Sequence, residues 1–211
     1  MFEDRSEAGR GLAQRLKDEL SPEERKNTLV LAIPRGGVPI GREISRALNI
    51  PLDCLVIKKI RAPGKEELAI GAVGEGGVVV WEEEIVRRLQ VPLEYRQEIV
   101  KQKLTEFEKK ESDFRSGQPI PEMRGKTVII TDDGIATGAT IKAAVATIRS
   151  FQPKEVVVAV PVIAQDVLAE IKQKADRVIC LEAPEMFFSV DQFYQDFRQY
   201  SDAEILAILN K

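Results

Sequence analysis

Two stretches, "TLVLAI" at 28–33 and "KTVIIT" at 126–131, are built around consecutive apolar residues, too short for a helix and lacking the alternation of a strand with one wet face. Each leads through a polar turn into apolar residues at helical spacing. These are Ile40, Ile44, Ala47 and Leu48 after the first, and Ile141, Ala144, Val145, Ile148 and Phe151 after the second. "LDCLVI" (52–57), "EVVVAVPV" (155–162) and "RVICLEA" (177–183) read as further strands, with a helix around Val167 to Ile171 between the last two. An opening helix carries Ala8, Leu12 and Leu16 at four-residue spacing. Continuous apolar strands separated by amphipathic helices predict an α/β fold with a mainly parallel central sheet and helices on both faces.

Other segments break this rhythm. "KKIRAPGKEELA" (58–69) is polar and shows neither a helical nor a strand period, so it reads as a loop. "IGAV" and "GVVVW", flanking Gly74 to Gly76, predict a short hairpin or bent strand pair. From 92 to 116 the chain is highly charged, with Val100, Leu104, Phe107 and Phe114 on one stripe, which predicts a long surface helix inserted in the core, and 116–125 reads as a loop. The expected division is a core over 1–184, including that insert, and a C-terminal hood over 185–211. "SDAE" at 201–204 is a capping-box pattern that opens a terminal helix.

Composition narrows the chemistry. The 211 residues, 44% hydrophobic and 31% charged, suffice for a substantial core. A net charge of −3, with both signs interspersed, gives no broad footprint for duplex nucleic acid, so nucleic acid is not an expected partner. The N-terminal residues lack an apolar signal core and no 18-residue apolar run occurs, so the expectation is a cytoplasmic protein with no membrane partner. The two cysteines, Cys54 and Cys180, have neither metal-ligand nor disulfide-framework spacing and read as reduced structural thiols. The chain has no histidine, which excludes imidazole acid–base catalysis and histidine metal sites.

"TDDGIATGAT" (131–140) is the most informative stretch. It leaves a buried strand, passes two acids, and enters a nearly side-chain-free turn that opens a helix. Ligands of parallel sheets bind beyond the carboxyl ends of the strands. Backbone N–H groups of Ala136, Thr137, Gly138, Ala139 and Thr140 at a helix start suit a phosphate, and both threonines add hydroxyl donors. Asp132 and Asp133 carry the wrong charge for phosphate, so they face ribose hydroxyls, a divalent cation or developing positive charge, or else cap the loop. A sugar phosphate satisfies both halves of the motif.

These residues resemble the 5-phosphoribosyl diphosphate (PRPP) signature of type I phosphoribosyltransferases, with Gly134 standing where that signature usually has an aliphatic residue. "IPRGG" (33–37) resembles the family's diphosphate loop, where a non-proline cis peptide is common, and 58–70 resembles its flexible catalytic loop. "APGKEELAIGAVGEGG" and the helical insert are similar to a bacterial group of predicted phosphoribosyltransferases. The resemblance implies an enzyme of nucleotide salvage that transfers phosphoribosyl from PRPP to a nucleobase or similar acceptor. A PRPP-sensing regulator of the same fold is the alternative. Arg35, Gly36 and Gly37 would meet the diphosphate, joined by Lys58, Lys59 and Arg61. Asp132, Asp133, Arg35 and Lys59 form the implied catalytic set, and Mg²⁺ is carried mainly by PRPP with no protein ligand assigned.

Departure of diphosphate from C1 develops positive charge on the sugar and negative charge on the leaving group, so acids belong by the ribose and cations by the diphosphate. For the acceptor the aromatic-rich tail offers Phe188 and Tyr194 as stacking groups, whereas Phe193 and Phe197 read equally well as the tail's own core. The identity of the acceptor and the oligomeric state, a homodimer included, stay open.

Overall fold

The computed structural model describes residues 1–115 and 119–210, without the side chains of 66, 67, 107–113 and 115. Phe107 and positions 116–118, expected on a helical stripe and in a loop, therefore lie outside the described side chains and residues. In chain order the elements are α1 (Arg5–Glu19), α2 (Pro22–Lys26), β1 (Thr28–Ala32), α3 (Gly37–Leu48), β2 (Leu52–Cys54), β3 (Ile57–Ala62), β4 (Lys65–Gly74), β5 (Val79–Trp81), α4 (Glu83–Arg88), α5 (Leu93–Arg115), β6 (Thr127–Thr131), α6 (Ala139–Ser150), β7 (Glu155–Val162), α7 (Gln165–Lys174), β8 (Arg177–Glu182) and α8 (Asp202–Leu209).

The large sheet has the order β2-β1-β6-β7-β8 and is parallel throughout. β1 and β6 are buried at every position because alternate residues enter different cores. Val30, Ile129 and Val157 pack with Leu12, Leu16, Ile40 and Ile44 on one face. Leu29, Leu31, Val128, Ile130 and Val158 pack with Ile141, Val145, Ile148 and Ile171 on the other. Helices thus cover both faces, which is why these strands show no alternation. Chain order reverses between β1 and β6, and the turns leaving these two neighbours, 33–37 and 132–138, open into the crevice where parallel sheets bind ligands.

Two sequence expectations change here. Only Leu52–Cys54 of the 52–57 run pairs in the large sheet, and the chain then crosses to a second sheet, β3-β4-β5. The 58–69 stretch is not an aperiodic loop but an antiparallel hairpin, turning at Pro63-Gly64 with Gly64 at φ 70°. Its period is hidden by register shifts on both sides of Arg61. Ile60, Ala62, Ile70 and Val73 form a separate core with Val86 of α4 and the partly buried Tyr95, Ile99, Val100 and Leu104 of α5. The charged insert therefore buries one stripe beneath the small sheet. Lys142 of α6 bridges Glu82, just before α4, at 2.7 Å and Glu170 of α7 at 3.2 Å, tying the small sheet's helical base to the large sheet's helices.

The tail is sewn to the body at several points. Phe2 and Tyr194 form a β-bridge, and the Phe2 N–H donates to the Phe193 carbonyl at 2.7 Å. Ser201 and Glu204 form the reciprocal capping box of α8, and its hydrogen bonds with Arg198 and Ser201 hold the Glu204 carboxyl down at about 2. Cys54 is buried and Cys180 half-buried, both as reduced thiols, and burial raises the Cys180 thiol. No helix of the described residues is long and apolar enough to cross a membrane.

Candidate phosphoribosyl site

At the end of β6 the chain turns through Asp132–Gly134 into a bridge between Ile135 and Ile163, then into Gly138 at φ 72°, the N-cap of α6. A side chain at Gly138 would meet Val167 at 2.7 Å, so both the positive φ and the close helix packing call for glycine. The resulting cleft, about 180 Å³, is lined by residues 134–141 together with Asp132, Lys59 and Val190. It joins an acid, a cation and a helix N-terminus in one place.

The two acids have different surroundings. Asp132 faces the cleft, and its Oδ1 accepts the Asp133 N–H at 2.9 Å. Burial first, then the adjacent Asp133 charge, pushes its carboxyl well above the usual carboxylate range, with Lys59 and Arg5 acting in the opposite direction. Asp133 is turned toward α1. Its Oδ2 accepts from Arg5 Nε at 2.8 Å, and both side chains are largely enclosed, at 5% and 14% exposure. Burial raises Asp133 as well, and Arg5 opposes that rise through its charge and its hydrogen bond. A Cβ on Gly36 would collide with Asp133 Oδ2, so the Asp133 carboxylate rests against the backbone of the 33–37 turn. Gly36 has φ −60°, so the requirement here is space and not conformation. Gly37 is constrained likewise, since its Cβ would lie 2.6 Å from the Thr131 carbonyl. The Pro34–Arg35 peptide is cis, as at this loop in the family that the sequence resembles.

The basic residues divide. Lys59 and Arg61 line a cleft of about 360 Å³ with Thr137, adjoining the first one. Lys58 instead lines a small cavity with Pro34 and Phe114. Neighbouring strand residues point to opposite faces, so Lys58 cannot join Lys59 in one cleft. Arg35 is half-exposed, with Nη1 3.6 Å from Asp202 Oδ1 in the first turn of α8.

The two tail aromatics also part company. Tyr194 is 5% exposed, its hydroxyl donates to the Asp133 carbonyl at 2.6 Å, and its ring packs on Phe2 and Phe197. Burial pushes its phenol well above the ordinary range. This corrects the stacking expectation for Tyr194, because an enclosed ring presents no face to a ligand. Phe188 is 82% exposed, two residues from the cleft-lining Val190. Val190 also explains Gly134, since a side chain at 134 would meet Val190 at 2.7 Å and Val162 at 2.9 Å. The tail supplies the aliphatic bulk that the turn lacks.

Arg5 and Asp202 were not anticipated as site residues from the sequence. Arg5 lies three residues before Ala8 on the buried stripe of α1, so a charge on an apolar face was the available signal. Among the described residues no group of three or more His, Cys, Asp or Glu side chains converges to hold a metal ion.

Residues 3–198 match the family profile described as Phosphoribosyl transferase domain, and the chain belongs to that family. Over all 211 residues it is 42% identical to the Mycobacterium tuberculosis protein named "Putative phosphoribosyl transferase Rv0571c", although it spans only 47% of that relative's length. Among solved structures, TT1426 from Thermus thermophilus superposes with a TM-score of 0.84 at 35% identity, covering 99% of this chain and 97% of that one. AQ2163 from Aquifex aeolicus, at 18% identity and TM-score 0.52 over 86% of this chain and 74% of its own, shares the fold.

Proposed function

We propose that the chain transfers the 5-phosphoribosyl group from PRPP to a planar nucleobase-like acceptor and releases diphosphate, as an enzyme of nucleotide salvage in the cytoplasm. The observation that carries this is the single cleft that Asp132 and Lys59 line together with the side-chain-poor 134–140 turn. In this reading the amides and hydroxyls of 136–140 hold the 5-phosphate at the positive end of α6. Asp132 meets the ribose hydroxyls and favours the positive charge that develops at C1, with Asp133 adding its field from behind. Arg35, the Gly36–Gly37 backbone, Lys59 and Arg61 receive the departing diphosphate, with Mg²⁺ brought in on its oxygens. Phe188 and Val190, on the hood formed by 185–211, border the acceptor.

In this reading Asp132 lies by the sugar and Lys59 by the leaving diphosphate, so charges of opposite sign flank the bond to be broken, an arrangement that a sensing protein does not need. Calorimetry with PRPP and Mg²⁺ tests the reading. Binding that is lost in Thr140→Val and Asp132→Asn supports it, and the absence of heat or thermal shift with wild-type protein at millimolar PRPP contradicts it.

A further inference from the structure

We infer that Arg5, from the N-terminal helix, is a positioning residue that holds Asp133 ionised and aimed, so that the two acids of the turn act as a cleft-facing carboxylate and a fixed charge behind it. The inference rests on the phosphoribosyl reading of the site. It starts from the isolation of Arg5 from water, at 4% exposure. A buried guanidinium persists only where its charge and donors are met. Here Nε donates to Asp133 Oδ2 at 2.8 Å and Nη1 to the Arg198 carbonyl at 2.9 Å. The guanidinium carbon lies 3.8 Å from the centroid of the Phe197 ring and 5.8 Å from those of Tyr194 and Tyr200.

Asp133 is met from every side. Arg5 comes from α1, the Gly36 backbone from the 33–37 turn, and the Tyr194 hydroxyl from the tail takes its carbonyl. Asp132 sits beside it with a like charge, and Lys59 of β3 acts on Asp132 from across the cleft. Arg5 is thus the cation in direct contact with the Asp133 carboxylate among the described residues. Without it, an enclosed carboxylate next to a second one takes up a proton. Asp133 would then lose the charge that favours the sugar's transition state. Its side chain would also be free to leave Gly36. The acid pair, the diphosphate turn, the first helix and the tail therefore meet at one guanidinium.

The test compares wild type, Arg5→Met and Arg5→Lys. Carboxyl ¹³C NMR follows the titration of Asp133, and calorimetry follows PRPP–Mg²⁺ affinity from roughly pH 6 to 9. In Arg5→Met the Asp133 midpoint is expected to move up by at least about one pH unit. PRPP affinity should fall about tenfold near neutral pH and recover as the pH rises, with Arg5→Lys between the two. An unmoved Asp133 midpoint, or a loss of affinity equal at every pH, overturns the inference, because a merely structural arginine predicts one of those. If Arg5→Met does not fold, the Arg5→Lys midpoint decides, since a shorter single-point cation leaves Asp133 above its wild-type value. Should wild-type protein bind no PRPP, the functional reading fails, and the Asp133 titration still decides the role of Arg5.

Discussion

Arg5 Nε and Asp133 Oδ2 meet at 2.8 Å although 128 positions separate them in the chain, and both are nearly closed to solvent. Removing one partner from such a pair leaves the other charge buried and unmet, a loss of about 3–5 kcal/mol, whereas removing both can be nearly neutral. Arg5→Met and Asp133→Asn should each lower the melting temperature. The double variant should melt closer to wild type than the sum of the two single losses, and thermal denaturation of the four proteins measures the coupling.

Asp132 should behave in the opposite way. Its carboxyl is raised well above the usual range by burial and by Asp133, so the folded state holds that proton more tightly than the unfolded chain does. Stability therefore falls as pH rises from the unfolded carboxylate value toward the raised folded one, and the penalty is complete only above the folded value. Asp132→Asn removes the penalty while keeping an oxygen for the Asp133 N–H. Its melting temperature should rise by about 2–4 °C for each kcal/mol recovered, and the wild-type fall in stability with rising pH should flatten. Turnover should drop by on the order of 10²-fold.

Gly36→Ala tests the packing of the two turns. Because the backbone at 36 is helical, alanine suits its conformation, and the nearest conflict is with the Asp133 carboxylate. Circular dichroism should be unchanged. PRPP affinity should fall about tenfold or more as Asp133 is displaced.

Asp202 lies 3.6 Å from Arg35, with both side chains about half exposed. A bound diphosphate would compete with it for the same guanidinium. Asp202→Asn should tighten diphosphate binding about two- to fivefold at low salt, with the gain shrinking as salt rises. Isothermal titration with diphosphate at two ionic strengths checks this.

The large sheet was legible because its strands are apolar at consecutive positions and its helices carry period-3.6 stripes, patterns that burial imposes locally. The 128–140 turn was legible for a related reason, since paired acids beside a bulk-free helix start have few uses. The hairpin at 57–74 was not. Its bulges shift the alternation between Ile60 and Ala62, and its apolar face is completed by Val86, Tyr95 and Ile99, which come later in the chain. Arg5 and Asp202 escaped because each reaches the site from a terminal segment, a relationship that only tertiary packing creates. Tyr194 misled because an aromatic in a tail looks the same in sequence whether its face is open or covered by Phe2 and Phe197.

We propose that the hairpin closes over bound diphosphate as part of a packed unit that Lys142 ties to Glu82. Lys142→Met should speed amide exchange in β3, β4 and β5 while leaving β1 and β6 unchanged, and PRPP should slow exchange at Lys59 and Arg61 in wild type. Equal exchange with and without PRPP would separate the hairpin from substrate closure.

The measurement closest to the central claim is diphosphate release from PRPP and Mg²⁺ in the presence of a panel of purine and pyrimidine bases and related planar nitrogen heterocycles, run with wild type and Asp132→Asn side by side. The account predicts acceptor-dependent release by wild type, together with the matching phosphoribosyl product, and release at least about 10²-fold slower in the variant. Equal rates in the two proteins, or tight PRPP binding with no acceptor-dependent release across the panel, would contradict it.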